Sequence, residues 1–469
     1  MKKLIILFSV LVSVNLFSQE KQILEKPKVD ERIEILSIVF RLAGAQEYNA
    51  KDFRLYTDRI DKYFSEYKNH ELIEFVKKIR KENGVSYDAV MSMAIHLSQA
   101  PQFKPLVEIT DSIPEKRWGK ENALKFIELL QKFYKDANCK KFFKENADLY
   151  RNASAQFIPV YNNLDSKWYK NFYGKEPREK FIIVNGLGNG SGNYGSSIVL
   201  KNGKKEVYAI MGAWSVDSLG MIKFDINGYF PILLHEFNHS FVNYLTEQNQ
   251  TSLQESGDKI YAVVADNMKS QAYSNWKTMI SESIVRAGVI KYMRDHNYNR
   301  NLIDNEVLGQ LIRGFLWINE LCDELENYDK QRDKYPSLES YMPNIIRAFN
   351  NYAENIKLIE NRFDERRPKV LSISEFRNND QSVNSEIKTI TVNFDRPLLG
   401  RGFSILNGKS GKETFPKIRE TKYSEDKKTL IINIELEKDK EYQFKLSGKN
   451  FRSTEGIPMK EYEIIFRTK

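Results

Sequence analysis

The stretch LLHEFNHSFVNYL (233–245) decides how the rest of this chain is interpreted. It contains an HExxH pattern in which His235 and His239 are four residues apart and Glu236 follows the first histidine. In an α-helix, residues i and i+4 lie on one face about a turn apart, so these two imidazoles can share one tetrahedral Zn²⁺. The carboxylate of Glu236 can then take a proton from a water whose pKa the metal lowers to about 7. The stretch therefore predicts a helical zinc site with its own general base.

The other residues of this stretch predict a buried helix, because apolar side chains occupy its remaining faces: Leu233, Leu234, Phe237, Phe241 and Val242. Pro231 is expected in the first turn, where its missing N–H is harmless. The alternative is a chance match in a core helix whose histidines find hydrogen-bond partners. With 5 His in 469 residues, such a match is rare.

The N-terminal stretch MKKLIILFSVLVSVNLFSQE (1–20) predicts a secretory signal peptide over residues 1–19. Two lysines precede an apolar run that is shorter than the roughly 20 residues needed to span a bilayer. No later stretch approaches that length. We therefore expect an exported protein, periplasmic or secreted, with no transmembrane segment in the mature chain.

The composition predicts a globular chain with sizeable cores, since 41% of its 469 residues are hydrophobic and 12% are aromatic, and the length suggests two or three domains. The helical and strand-like patterns described below predict the α+β class. The net charge is +9, but basic and acidic residues are interleaved without a basic block. This pattern argues against nucleic-acid binding. The two cysteines, Cys139 and Cys322, could pair in an exported protein, and the sequence alone leaves that question open.

Residues 20–175 are predicted to form the helical N-terminal part of the catalytic region. Apolar residues recur at helical spacing in four stretches: 31–45, 70–82, 85–98 and 121–137. His70 and His96 lie in this part without a second metal-binding residue at helical spacing. We therefore interpret both as structural.

Residues 176–366 are predicted to form the metal-binding core, which begins with three alternating, strand-like segments: 180–185, 193–200 and 206–213. Asn202-Gly203 predicts a type I′ hairpin that joins the second and third strands. GLGNGSG (186–192) lacks the Lys-Ser/Thr that follows a phosphate-binding loop, so we expect a flexible hairpin connection there. The sheet is expected to be small and antiparallel.

A zinc hydrolase takes three protein ligands and leaves the fourth position for water. Downstream of the HExxH pattern, the sequence offers Glu255, Asp258 and Glu282. Glu282 is favoured because it lies in a helical pattern (275–293) among apolar neighbours. Glu255 and Asp258 stay open as alternatives, in a stretch that reads as a loop and a helix start. Arg286, one turn beyond Glu282, is predicted to hold that carboxylate in place, unless the two form an ordinary pair on a solvated face.

Three further residues are candidates for supporting or substrate contacts. Hydrolysis of a peptide bond requires a donor to the charge that develops on the carbonyl oxygen. Tyr335 and Tyr341, beside the helical stretch 337–359, are candidates for this donor among 25 tyrosines. Asn243, eight residues after His235 on the same helical pattern, is a candidate for a supporting contact.

The combination of HExxH with a glutamate from a second helix resembles the gluzincin class of zinc metallopeptidases. In more detail, VDERIEILSIVFRLAGA (29–45), HEFNHSFVN (235–243) and ESIVRA (282–287) resemble a bacterial family known as domain of unknown function 4932, over roughly residues 29–360. This resemblance implies a zincin-like metallopeptidase architecture and carries no established substrate. The order of a sheet followed by an HExxH helix resembles zinc metallopeptidases of the zincin type, and that resemblance implies an edge strand along the cleft. Residues 193–200 are the best candidate, where an extended peptide would add by main-chain hydrogen bonds.

Residues 367–469 are predicted to form a separate β domain, because helical periodicity ends in NRFDERRP (361–368). Strand-like segments follow at 369–374, 388–394, 403–407, 429–436, 442–448 and 462–468. They resemble the bacterial Ig-like sandwiches appended to exported proteins, here without internal cysteines. The expected role is a spacer, and contact with a surface or a glycan is the alternative.

Together these patterns predict an exported zinc-dependent metallopeptidase that hydrolyses a peptide or protein substrate with metal-activated water. The metal ligands would be His235, His239 and Glu282, and Glu236 would be the base. The alternative is a non-catalytic binding or adhesion protein that retains a structural zinc and acts through its Ig-like module.

Overall fold

The protein is described here by a computed structural model, which covers residues 24–176 and 179–469. The predicted signal peptide, residues 1–19, lies outside the described residues. Helices and small sheets are both present, as the α+β prediction requires. The chain divides into two compact units, of which the first comprises the chain up to Asn171 with Lys175–Ser240 and the second comprises Phe172–Gly174 with Phe241–Lys469.

The elements up to the HExxH stretch are, in chain order, β1 (Leu24–Lys28), α1 (Glu31–Leu42), α2 (Arg54–Tyr63), α3 (Glu71–Asn83), α4 (Asp88–Ile95), α5 (Lys120–Asp136), α6 (Cys139–Glu145), α7 (Ala147–Asn162), α8 (Ser166–Tyr173), β2 (Lys180–Gly186), β3 (Tyr194–Val199), β4 (Lys205–Gly212) and α9 (Ile226–Gln248). All four helical stretches predicted before residue 175 are helices. β1 was not predicted, because its sequence LEKPK has neither an alternating pattern nor β-branched residues.

The elements after α9 are α10 (Gln250–Ser270), α11 (Trp276–Asp295), α12 (Arg300–Ile312), α13 (Ile318–Asp329), α14 (Leu338–Glu365), β5 (Val370–Ile373), β6 (Thr389–Phe394), β7 (Ile405–Asn407), β8 (Lys417–Tyr423), β9 (Thr429–Glu435), β10 (Glu441–Leu446) and β11 (Tyr462–Arg467). Two short 3₁₀ turns in the first unit and one in the second complete the regular structure of the described residues.

The sheet of the first unit has the strand order β1-β2-β4-β3. β1 and β4 both pair with β2 in parallel, and β3 alone pairs antiparallel, with β4. The prediction of an antiparallel sheet is therefore right only for β3 and β4. β2 is buried from Phe181 to Gly186, which is typical of a central parallel strand. β3 lies at one edge of the sheet, as predicted for 193–200.

The connection 186–192 is wrongly predicted as a flexible hairpin, because β4 lies between β2 and β3. The connection is buried as far as Gly190. The backbone N–H of Leu187 donates to Oε1 of Glu34 at 2.7 Å, and Oγ of Ser37 donates to Oδ1 of Asn189 at 2.7 Å. These side chains of α1 hold the connection against the sheet.

The predicted hairpin between β3 and β4 is confirmed, but its turn is not of type I′. The N–H of Gly203 donates to the carbonyl of Leu200 at 2.8 Å, and the N–H of Leu200 donates to the carbonyl of Lys204 at 2.8 Å. Gly203 is left-handed, with φ +77°. This is the three-residue loop in which a type I turn precedes a glycine in the left-handed conformation.

The HExxH helix, α9, begins earlier than the sequence suggested. Oδ2 of Asp225 accepts from the N–H of Gly228 at 3.1 Å, which satisfies one free donor at the helix start. Pro231 lies inside the helix, and its prediction in the first turn is wrong because the helix starts at Ile226.

Aromatic side chains pack α9 against the sheet. The ring of Phe237 lies 3.8 Å from that of Phe181 on β2, between centroids. The hydroxyl of Tyr229 donates to the carbonyl of Gly212, at the end of β4, at 3.0 Å. These contacts fix which face of α9 looks away from the sheet.

In the second unit, α11 packs against α10, α12 and α13, and α14 packs against α10. The strands that follow form two sheets, with orders β5-β6-β9-β8 and β11-β10-β7. Both sheets contribute to one apolar core, which includes Ile390, Leu430, Phe444 and Phe466. β8 was not predicted, because its sequence KIRETKY is mostly charged and it lies at a sheet edge.

Two further predictions concern the whole chain. Cys139 and Cys322 are both buried free thiols, so they do not pair with each other. Among the described residues, none of the helices combines the length and the apolar character that crossing a membrane requires.

Candidate metal centre

The two histidines of α9 approach each other as ligands of one small ion would. Nε2 of His235 and Nε2 of His239 are 3.2 Å apart, and both side chains are half-buried. Zinc–nitrogen bonds of about 2.0–2.1 Å in a tetrahedron place two nitrogens about 3.3 Å apart. The observed separation fits zinc. It also fits an N–H···N hydrogen bond between neutral imidazoles, which is the structural alternative for this pair.

Glu236 shares the half-buried face of α9 with the histidines, and its carboxylate lies against β3. At Gly195, an added Cβ atom would lie 2.9 Å from Cδ of Glu236. The carboxylate therefore lies next to the edge strand of the sheet.

Glu282 lies on α11, whose first turn is capped by Asn275: its side-chain oxygen accepts from the N–H of Thr278 at 2.9 Å. Only 6% of Glu282 is exposed. Its Oε2 accepts from the hydroxyl of Tyr273 at 3.0 Å and from Nη2 of Arg286 at 2.9 Å. A buried carboxylate needs such partners, because losing water is costly for a charge.

Arg286 is itself fixed in place by several groups. Its Nη2 also donates to the hydroxyl of Tyr273 at 2.8 Å, and its Nη1 donates to Oε1 of Gln310 at 3.0 Å. Its guanidinium lies over the ring of Phe315, 4.8 Å from the centroid. Arg286 therefore contacts the carboxylate of Glu282, and the pair is buried, with 8% of each side chain exposed. The alternative, an ordinary ion pair on a solvated helix face, is therefore wrong.

One potential ligand atom from each of His235, His239 and Glu282 lies within 4.8 Å of the other two. No other group of three or more such side chains comes together in this way in the part of the chain that the structure describes. Two imidazoles and one carboxylate are a donor set that zinc hydrolases use. The residues present therefore fit zinc in number, type and spacing.

The alternative third ligands lie elsewhere. Glu255 and Asp258 are exposed on α10, so the prediction of a loop there is wrong. The helix includes Gly257, which packs against the ring of Trp276, where a Cβ would overlap it. Glu255 forms an i, i+4 pair with Lys259 at 2.7 Å.

The remaining candidates have other contacts. Oδ1 of Asn243 accepts from Oγ of Ser281 at 2.7 Å, so Asn243 ties α9 to α11 beside Glu282. The hydroxyl of Tyr341 donates to Oε1 of Glu324 at 2.7 Å, and Tyr335 packs edge-on against the Tyr341 ring. Neither tyrosine contacts Glu282 in the way that Tyr273 does.

Tyr273 is the residue that sequence reasoning missed. It precedes α11 by three positions and donates to Glu282, while burial raises the pKa of its hydroxyl to about 12. Nothing in its sequence surroundings distinguishes it from the other tyrosines, because the contact depends on how the chain enters α11.

His70 and His96, which the sequence predicts to be structural, both have hydrogen-bond contacts with the backbone near them. Nδ1 of His70 accepts from the N–H of Leu72 at the start of α3, at 3.1 Å. Nδ1 of His96 lies 2.7 Å from the carbonyl oxygen of Ser92.

Comparison with known proteins gives one family match. A sequence model of the family described as "Domain of unknown function (DUF4932)" matches residues 26–348. None of the curated proteins matches the chain.

Partial matches among solved structures are to a surface layer protein. "Structure of surface layer protein SbsC, domains 1-6" is 15% identical, with 52% of this chain and 37% of that chain covered and a TM-score of 0.17. "Crystal structure of the N-terminal part of the bacterial S-layer protein SbsC" is 17% identical, with 51% and 58% covered and a TM-score of 0.17. This chain thus spans less than two thirds of the structures it matches, and TM-scores this low carry no argument about its fold.

Proposed function

This chain belongs to the DUF4932 family, and we propose that it is an exported, zinc-dependent metallopeptidase of the gluzincin type that hydrolyses peptide or protein substrates. The observation that carries the proposal is the grouping of His235, His239 and Glu282 with Glu236 beside them. A purely structural zinc site has no use for an additional carboxylate next to its ligands.

Each residue has a defined task in this proposal. The Nε2 atoms of His235 and His239 and the carboxylate of Glu282 would hold the ion. When bound, Zn²⁺ supplies Lewis acidity, which makes water acidic enough to lose a proton near neutral pH. Glu236 would accept that proton on a carboxylate oxygen and return it to the leaving amine.

The surroundings of Glu282 support its assignment as the third ligand. Tyr273 and Arg286 both donate to Oε2, so the orientation of the carboxylate is fixed before any ion arrives. Partners of this kind orient ligands and strengthen metal sites in other proteins. Arg286 also balances the negative charge of Glu282, which makes its burial tolerable.

The finer assignments of fold and location are part of the same proposal. A sheet followed by an HExxH helix is the element order of a zincin, with β3 as the strand along which substrate extends. The two-sheet domain after α14 would be an Ig-like spacer, which needs no disulfide because one apolar core spans both sheets. Export rests on the predicted signal peptide.

The test combines metal content with hydrolysis of a peptide library. Purified mature protein should contain close to one zinc, and a chelator should remove the zinc and lower the thermal midpoint, since metal binding stabilises the folded state. His235→Ala should lose the metal. Glu236→Gln should keep the metal and lose hydrolysis.

The results separate this proposal from its alternative. Metal-free protein, purified without chelators, would contradict the zinc site. Bound zinc with no hydrolysis of any library peptide by the wild type would favour a non-catalytic binding protein with a structural metal.

A further inference from the structure

β3 has one covered face and one open face. Its even-numbered residues, Tyr194, Ser196 and Ile198, are buried, and α4 packs on this strand. Its odd-numbered residues, Gly195, Ser197 and Val199, are exposed. Because the carboxylate of Glu236, on α9, lies against Gly195, the open face of β3 faces α9.

The hydrogen-bond pattern shows which backbone groups point away from the sheet. The N–H of Leu200 donates to the carbonyl of Lys204 at the hairpin turn. In an antiparallel pair, hydrogen-bonded and non-hydrogen-bonded residue pairs alternate, so Ser196 faces Tyr208 in a bonded pair and Gly195 faces Ala209 in a non-bonded one. The N–H and C=O of Gly195 are therefore directed to the free edge. Within residues 24–176 and 179–469, no strand pairs with this edge.

The glycine at position 195 has a steric cause. Its φ angle lies outside the left-handed range, so its backbone conformation does not demand glycine. Glycine inside a strand is also unfavourable, by roughly 0.5–1 kcal/mol relative to alanine. A Cβ atom at this position would, however, overlap Oε2 of Glu236. With any side chain at position 195, the carboxylate, which is the end of a flexible side chain, would have to move away from the backbone of the edge strand.

We infer that Gly195 is a positioning residue for Glu236. Because Gly195 has no side chain, the carboxylate of Glu236 can lie against the backbone of the edge strand, which is where the general base is needed. This inference rests on the proposed function for its catalytic meaning. The steric relationship on which it depends exists in the metal-free protein and can be measured without any activity.

The first test is a double-mutant cycle on thermal unfolding in the presence of a chelator. Gly195→Ala should have a less favourable effect on the midpoint in the wild-type background, where the carboxylate of Glu236 must move aside, than in the Glu236→Ala background. In the Glu236→Ala background the same change should leave the midpoint unchanged or raise it, because the clash is gone and alanine suits a strand better. Ser197→Ala, on the same face, should change neither background. An equal change of the midpoint in both backgrounds would overturn the inference.

The second test separates positioning from a general loss of structure. Gly195→Ala should bind zinc as the wild type does, keep its KM, and lose at least about tenfold in kcat, since a misplaced base acts on the chemical step. An unchanged kcat, or a parallel loss of zinc, would contradict the positioning role. If the wild type hydrolyses nothing, the proposed function fails, while the stability cycle still decides whether Gly195 sets the place of Glu236.

Discussion

The hydroxyl of Tyr273 donates to Oε2 of Glu282 at 3.0 Å, although the tyrosine lies before the start of α11 and the glutamate lies in its interior. Arg286 donates to the same oxygen and to the same hydroxyl. The three side chains form a closed triangle of hydrogen bonds. Loss of either donor removes one of these hydrogen bonds and gives the carboxylate more freedom to turn.

Tyr273→Phe should therefore lower zinc affinity by about tenfold, the lower end of the range for loss of a ligand's supporting partner. Competition with a chromogenic chelator measures this. Tyr341→Phe is the matched control, because its hydroxyl donates to Glu324, outside the proposed ligand set. It should cost about 1 kcal/mol of stability and leave zinc affinity unchanged. Equal zinc affinities for both variants would show that Tyr273 does not support the ligand.

The three candidate third ligands can be ranked by the same measurement. Glu282→Ala should lower zinc affinity by a factor of about ten or more. Glu255→Ala and Asp258→Ala should change it little, since both carboxylates are exposed on α10. Unaltered affinity in Glu282→Ala, with loss in either of the others, would overturn the ligand assignment and leave the HExxH argument intact.

Residues 368–469 should fold alone as a cooperative β domain. Every member of their apolar core lies between Ile373 and Phe466. At the junction with α14 the contacts are polar, such as Arg366 to Glu455 at 3.0 Å and Nη1 of Arg367 to the carbonyl of Pro458 at 2.8 Å. Circular dichroism of the isolated segment should show β structure and one unfolding transition. A helical spectrum would contradict this, as would loss of zinc binding in a chain truncated after Arg367.

Glu34 should make the stability of the protein depend on pH. It is fully buried, and this removal from water raises the pKa of its carboxyl to about 8. The folded state thus keeps a proton that the unfolded chain loses above roughly pH 4.3. The associated stability is present below that pH and is lost as the pH rises through 8.

Glu34→Gln should flatten this dependence between pH 5 and pH 8, because the amide oxygen can still accept from the N–H of Leu187 and carries no charge. Denaturant midpoints at the two pH values measure the slope. Glu255→Gln, at an exposed position, is the control and should keep the wild-type slope. The same slope in Glu34→Gln as in the wild type would show that another group titrates.

The sequence by itself determined the local chemistry of this protein. His235 and His239 are four residues apart and Glu236 adjoins His235, so in a helix the spacing alone places the two histidines on one face with Glu236 beside them. No distant contact is needed for this. The helices of the N-terminal part and most strands of the C-terminal domain could be predicted from periodicity, which is also a local property of the sequence. Each repeats a pattern over a few turns or residues, and the burial of one face imposes that pattern.

Only the tertiary structure decided how distant segments meet. The antiparallel prediction failed because strand direction depends on chain topology, which placed β4 between β2 and β3. Tyr273 contacts Glu282, and Gly195 lies close to Glu236. In neither case do the adjacent residues in the sequence indicate which residue the partner will be. A periodic pattern shows which face of a helix or strand is buried. The residues that pack against that face are determined by the fold of the whole chain.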